Sequence, residues 1–470
     1  MEKLNVKLHI LAPLTALVVL FMWFVPSSFF GIDGLTVTQQ RTIAIFCYAA
    51  LMWMFEIIPA WATSVTTIVF LLIAVSNKGL TSSEMGNLVN FRELMASFAD
   101  PIIMLFLGGF VLAITASKVG LDVVLARVML KPFGTNPKWV LLGFLTLISV
   151  MSMFMSNTAT AAMMLAFLAP VLRTLPVDGG GRVSLAMAIP IAANIGGLGT
   201  PIGTPPNAIA IGQLAAMDIN VGFASWMIRM VPVVIIMILF AWWLLMFLFP
   251  FKAKDVKIVI EPDETHQKDW KFWVVTVTFI ATILLWMTGE LTHLNSNVVA
   301  LIPFAVFSLL GIFERADFEK IDWHVLWMVA GGFAIGTALN KTGLAAALVE
   351  AIPFGSWSAI AVLIIAGLLG WLLSNFIANS SAANLLVPIL AVVGTAMSEQ
   401  LGAFGGVTTL LVCVAASTSF AMLLPISTPP NAIACSTGLI QTKDMAKVGL
   451  IIGLVGIALA YAVIIFFPFK

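Results

Sequence analysis

The heptapeptide Thr-Pro-Pro-Asn-Ala-Ile-Ala occurs twice, at 204–210 and again at 428–434, a spacing of 224. Two further blocks hold nearly the same register. Gly108, Gly109, Phe110, Lys118 and Gly120 match Gly331, Gly332, Phe333, Lys341 and Gly343 at a spacing of 223, and Ser-Met-Phe-Met-Ser-Asn-Thr (152–158) matches Ser-Asn-Phe-Ile-Ala-Asn-Ser (374–380) at 222. Such a chain must fold as two related halves. Each half must also suit lipid: 61% of the residues are apolar and 10% charged, where soluble chains carry about 25% charged residues. A polytopic membrane protein is the class that remains. Net charge +1 offers nothing to nucleic acid, and Cys47, Cys413 and Cys435 form neither a disulfide framework nor a thiolate metal site.

A helix crosses the roughly 30 Å hydrocarbon core with about 20 residues. Windows of that kind fall at 9–30, 42–57, 59–76, 101–117, 184–216, 225–250, 272–290, 294–313, 323–340, 404–440 and 448–468, eleven in all. The stretches 139–172 and 357–397 are too long for one span, short for two and interrupted by polar clusters. They read as re-entrant hairpins. The expected fold is therefore all-α, with eleven transmembrane helices and two hairpins. Residues 1–40 hold a first helix, 41–250 one repeat, 251–271 a cytoplasmic linker and 272–470 the second repeat. Five spans per repeat is an odd number, so the second copy must be inverted. Inverted repeats are an architecture of secondary transporters, with the site at mid-membrane between them.

Placing the N-terminus in the cytoplasm and the C-terminus outside leaves only Arg41, Lys78, Arg92, Arg229, Lys341 and Lys470 external, so 17 of 23 basic residues lie inside. That obeys the positive-inside rule. The compact linker favours a bacterial inner membrane.

Ser156-Asn157-Thr158 and Ala378-Asn379-Ser380 sit at the hairpin interruptions, and Thr204-Pro205 and Thr428-Pro429 follow stretches where two spans are expected to break. Ser, Thr and Asn cap helix N-termini, and Pro suits the first helical turn. Four half-helix N-termini inside the membrane would make an anion site largely of backbone. The segments 139–172, 184–217, 357–398 and 400–442 contain no Lys or Arg. A dianion there has no side-chain countercharge, and burying unpaired charge is very costly. Bound cations would remove the penalty, which points to cation-coupled uptake. One such polar motif alone would more often be glue between helices; its duplication in register reverses the odds. Gly-Gly-Leu-Gly-Thr-Pro-Ile-Gly (196–203) has neither the spacing nor the setting of a nucleotide loop. Glu56 and Glu290, beside Trp53 and Trp286, read as a buried pair bracing helices, and the four His fall at span ends or in the linker. No apolar segment pairs a nucleophile with a base, so an enzyme is not expected.

At these residues the chain resembles the divalent anion:sodium symporter family, the INDY carriers of dicarboxylates, citrate and sulfate, from about residue 40 to 468. The resemblance implies a scaffold that forms a homodimer and a transport unit that moves like an elevator. It places substrate carboxylates at Asn157, Thr158, Asn379 and Ser380, with Thr204, Thr428 and Pro429 nearby. It places one sodium among Ser152, Ser156, Asn157 and Gly203, and a second among Ser374, Ile377, Asn379 and Ser427. The second tip departs from the pattern, with Ala378 for Ser and Ser380 for Thr. The expected activity is sodium-coupled import of a C4-dicarboxylate such as succinate, malate or fumarate. A sodium-independent exchanger, or a carrier of citrate, α-ketoglutarate or sulfate, stays open.

Overall fold

The computed structural model describes residues 7–176, 179–256, 268–352 and 357–469. Lys3, Lys470 and the linker residues 257–267, with Lys257 and His266, lie outside the described residues. The described residues form helices joined by turns and irregular stretches, with one isolated bridge between Ser76 and Val89. Its longer helices are α1 (Ala12–Phe24), α2 (Val37–Phe55), α3 (Ala60–Ala74), α4 (Pro101–Lys118), α5 (Leu121–Leu130), α6 (Pro137–Phe154), α7 (Asn157–Thr174), α8 (Gly181–Gly197), α9 (Pro205–Ala215) and α10 (Phe223–Leu248). After the linker come α11 (Trp270–Met287), α12 (Ser296–Leu309), α13 (Trp323–Lys341), α14 (Leu344–Ala351), α15 (Ala359–Ser374), α16 (Asn379–Ala396), α17 (Gly406–Ser419), α18 (Pro429–Ser436) and α19 (Thr442–Phe466). The element order of the first half after α1 recurs helix for helix in the second.

Local chemistry explains the boundaries. Thr36 and Gln39 form a reciprocal capping box at the start of α2. Asp100 accepts the Ile102 N–H at 2.8 Å, with Pro101 opening α4. Gly120 and Gly343, at φ +73° and +77°, turn the chain between α4 and α5 and between α13 and α14; a side chain would be strained in that left-handed conformation. The expected first span, 9–30, ends earlier as a helix, at Phe24. Pro26 two residues on has no N–H and disfavours helix in the residue before it.

Six described helices are long and apolar enough to cross a membrane unaided. The windows 184–216 and 404–440 are not single helices, since each divides into two with an irregular stretch between, as the Thr-Pro motifs require. Packing is reciprocal across the halves. Helix α3 packs on α13 while α12 packs on α4, and α9 lies against α16 and α17 while α18 lies against α7 and α8. Paired glycines permit the first of these contacts: a Cβ on Gly108 would stand 2.0 Å from the Ala300 carbonyl oxygen, and one on Gly331 2.4 Å from the Ser64 Cβ. The expectation of a buried Glu56–Glu290 pair is not met. Both side chains are exposed, because each glutamate stands at the end of its helix, beyond the buried Trp53 and Trp286.

Candidate functional site

Helix α7 begins at Asn157, and its cap Ser156 accepts the Ala159 N–H at 3.2 Å. Helix α16 begins at Asn379 after Ala378, which has no side chain to offer as a cap. Thr428 caps α18 by accepting the Asn431 N–H at 3.3 Å, whereas the equivalent Thr204 makes no such bond to α9. All four N-termini meet one cavity of about 180 Å³. Asn157, Thr158, Thr204, Asn379, Ser380, Thr428 and Pro429 line it, together with Ser156, Gly203 and Ser427. Each sequence-predicted substrate residue is therefore brought to one place. Among the described residues the hydroxyls of Thr158, Ser380 and Thr204 have no protein hydrogen-bond partner, which leaves them as free donors at the cavity. A larger cavity of about 550 Å³ near Trp286, Glu290 and His293 includes no helix of this convergent set by its N-terminus.

Among the described residues the cavity wall contains no Lys or Arg. Its positive potential comes from backbone: each helix N-terminus carries about half an elementary charge and free N–H groups. Four of them sum nominally to about two positive charges and suit an anion with two carboxylates, but as spread dipole ends worth about 0.3 to 1 kcal/mol each they do not replace counter-ions.

Oxygens gather behind each hairpin tip. The Asn157 side-chain amide lies 2.6 Å from Ser152 Oγ, 3.0 Å from the Gly203 carbonyl and 3.2 Å from the Ala193 carbonyl. Carbonyls only accept, so the amide either turns its nitrogen to them or shares these oxygens with a hard cation. At the second tip Ser374 Oγ donates to Asn379 Oδ1 at 2.7 Å and to the Thr418 carbonyl at 3.0 Å. That leaves the Asn379 nitrogen for the cavity. Oxygen-only sets at unwound helix ends are what sodium takes in transporters. Ser427 is only partly available: its hydroxyl donates to the Asn375 carbonyl at 3.0 Å and accepts the Leu424 N–H at 3.0 Å, leaving its carbonyl. Ile377 is buried beside the tip and has only backbone to contribute. No group of three or more His, Cys, Asp or Glu that could hold a metal occurs among the described residues.

Sequence reasoning missed three asparagines. Asn207 donates to the carbonyls of Gly197 (3.0 Å) and Thr200 (2.8 Å), and Asn431 to those of Met422 (3.1 Å) and Leu424 (2.9 Å). A broken helix strands carbonyls in apolar surroundings, and the Asn of each Thr-Pro-Pro-Asn satisfies one that has no backbone donor, Gly197 or Met422, and adds a second bond to one that has, Thr200 or Leu424. The signal was the fourth letter of the repeated motif. Asn194, on the cavity wall, donates to Thr428 Oγ1 at 3.1 Å and Asn431 Oδ1 at 3.3 Å, tying α8 to the second break. No repeat marks it, so sequence alone offered no signal.

The site adjoins a vestibule of about 430 Å³ through Phe110, Ser156 and Asp322, which line both. Lys118 and Lys320 stand at this vestibule and both bond Asp317. Burial alone would raise the Asp317 carboxyl; these lysines and the Glu314 N–H outweigh it and hold the carboxyl below its ordinary range. A second vestibule of about 350 Å³, lined by Glu93, Asp100 and Lys341, shares no residue with the site.

Long apolar helices and a cavity lined by the N-termini of broken helices define an integral membrane transport protein. Residues 50–406 match the citrate transporter family model. The chain is 30% identical over 469 residues to the sodium-dependent dicarboxylate transporter SdcS of Staphylococcus saprophyticus, covering 92% of this chain and 87% of that protein. It is 28% identical over 473 residues to the sodium-dependent high-affinity dicarboxylate transporter 3 of Caenorhabditis elegans, covering 87% and 79%. It is 30% identical over 450 residues to SdcS of Staphylococcus aureus, covering 88% and 83%. The chain belongs to the divalent anion:sodium symporter family.

Proposed function

We propose that this protein is a secondary active transporter that imports C4-dicarboxylates such as succinate, malate and fumarate, coupled to sodium, by elevator-type alternating access. The observation that carries the reading is the convergence of four helix N-termini on a cavity with no basic side chain in its wall. Substrate carboxylates bind at Asn157–Thr158 and Asn379–Ser380, flanked by Thr204, Thr428 and Pro429. One sodium takes Ser152, Ser156, Asn157 and Gly203, and the other Ser374, Ile377, Asn379 and Ser427. The names of the relatives, sodium-dependent dicarboxylate transporters, favour the same ion and substrate class.

In this reading eleven spans and two re-entrant hairpins, 139–172 and 357–397, form two inverted repeats. The reciprocal packing of α3 on α13 and α12 on α4 supports that symmetry. The transport unit holds the hairpins and broken helices; the scaffold holds α4 and α13 and forms a homodimer in a bacterial inner membrane. The N-terminus is cytoplasmic and the C-terminus external. Ion pairs agree with these faces: Lys118 bonds Asp317 on the side assigned to the cytoplasm, and Lys341 bonds Glu93 at 3.3 Å on the outer side. The vestibule joined to the site is then the cytoplasmic one.

Reconstituted protein is expected to accumulate radiolabelled succinate under an inward sodium gradient. Uptake seen only as counterflow against preloaded succinate, with no sodium, would make the protein an exchanger and overturn the coupling.

A further inference from the structure

Among the residues lining the site cavity one carries a charge, and it is an acid: Asp322, with 40% of its side chain exposed. It stands just before α13 and lines both the cavity and the vestibule that joins it. Helix capping accounts for part of this. Asp322 accepts the Val325 N–H at 3.4 Å, as Asp100, 222 positions earlier, accepts that of Ile102 at 2.8 Å. Ser, Thr or Asn would cap as well without bringing charge, and a carboxylate in the wall of an anion site works against binding.

The neighbouring cations do not cancel it. Lys118 bonds Asp317 and the Ile312 carbonyl, the latter at 2.9 Å, and Lys320 bonds Asp317 at 3.0 Å. His324 Nδ1 lies 3.5 Å from Asp322 on a side chain 74% exposed, where solvent screens it.

We propose that Asp322 sets the charge the site accepts, admitting dianions and disfavouring tricarboxylate trianions such as citrate. This rests on the sodium-coupled dicarboxylate reading, in which two sodium ions and the four helix N-termini serve two carboxylates and no cationic side chain in the wall is placed for a third. A third charge then meets Asp322 uncompensated. Repulsion grows with ligand charge, and one additional unit charge about 6 Å away in a half-wet site changes affinity roughly tenfold.

The test is competition by citrate against succinate uptake in proteoliposomes at alkaline pH, where citrate carries three charges. Relative to the unmodified protein, Asp322→Asn and Asp322→Ser, both of which keep a capping side chain, should lower the citrate concentration that halves uptake about tenfold. Asp322→Glu should leave it in place. Dicarboxylate transport with unchanged citrate competition in both neutral variants overturns this proposal alone. So does a changed sodium dependence with unchanged selectivity, which would make Asp322 a residue that captures cations. Unmodified protein that moves no dicarboxylate, by gradient or by counterflow, overturns the reading of function and this proposal with it.

Discussion

Asn157→Ala and Asn379→Ala should each lower succinate uptake by about a hundredfold or more while leaving the protein folded and its oligomer intact in detergent. Each amide reaches two ways. One end meets oxygens behind the tip, Ser152 Oγ at 2.6 Å for Asn157 and Ser374 Oγ at 2.7 Å for Asn379, and the residue itself lines the cavity. On the proposed assignment of the hairpin tips, alanine removes a contact to the anion and an oxygen for the cation at once. Hydrogen bonds to charged groups are worth about 1.5 to 3 kcal/mol each, and two lost interactions of that size reach about a hundredfold. Uptake kinetics in proteoliposomes, with size-exclusion chromatography of each variant, measure both halves of the expectation. Normal transport by either variant would sink the assignment of the hairpin tips.

The second large effect concerns the asparagines of the two Thr-Pro-Pro-Asn motifs. Asn207→Leu and Asn431→Leu keep a side chain of similar size and remove the donors to Gly197 and Thr200, or to Met422 and Leu424. Each variant leaves one buried carbonyl, that of Gly197 or of Met422, without a donor at a cost of about 1 to 3 kcal/mol, while the Thr200 and Leu424 carbonyls keep the N–H groups of Gly203 and Ser427. Thermal melts in detergent should show clear destabilisation, larger for Asn431→Leu, because that side chain also accepts from Asn194 and from Thr428 Oγ1 at 3.0 Å. Equal melting of variant and parent would mean that the breaks are held by other contacts.

Much of this architecture was legible in the sequence because the chain states its motifs twice. The paired Thr-Pro-Pro-Asn blocks marked both helix breaks, and the starts of α7 and α16, at Asn157 and Asn379, fall within the paired Ser-Asn-Thr and Ala-Asn-Ser tips. The convergence of four N-termini could be expected from symmetry; the cavity they line is a fact of packing. Local features without a repeat stayed hidden. Asn194 is one polar residue in the apolar run of α8, and only the folded chain brings it to Thr428. Glu56 and Glu290 misled for the opposite reason: nearby Trp53 and Trp286 are buried, yet the glutamates themselves end their helices in the open. Asp322 reads as an ordinary helix cap until its place in the cavity wall is seen.

The central claim is that an anion site made of helix N-termini, with no basic side chain in its wall, holds a dicarboxylate only when cations share the site. Calorimetric titration of succinate into the purified protein, in sodium and in potassium at equal ionic strength, tests it most directly. Saturable binding is expected in sodium, with a loss of at least about tenfold in affinity in potassium. Equal affinity in both salts would contradict it, and would mean that backbone alone neutralises the dianion.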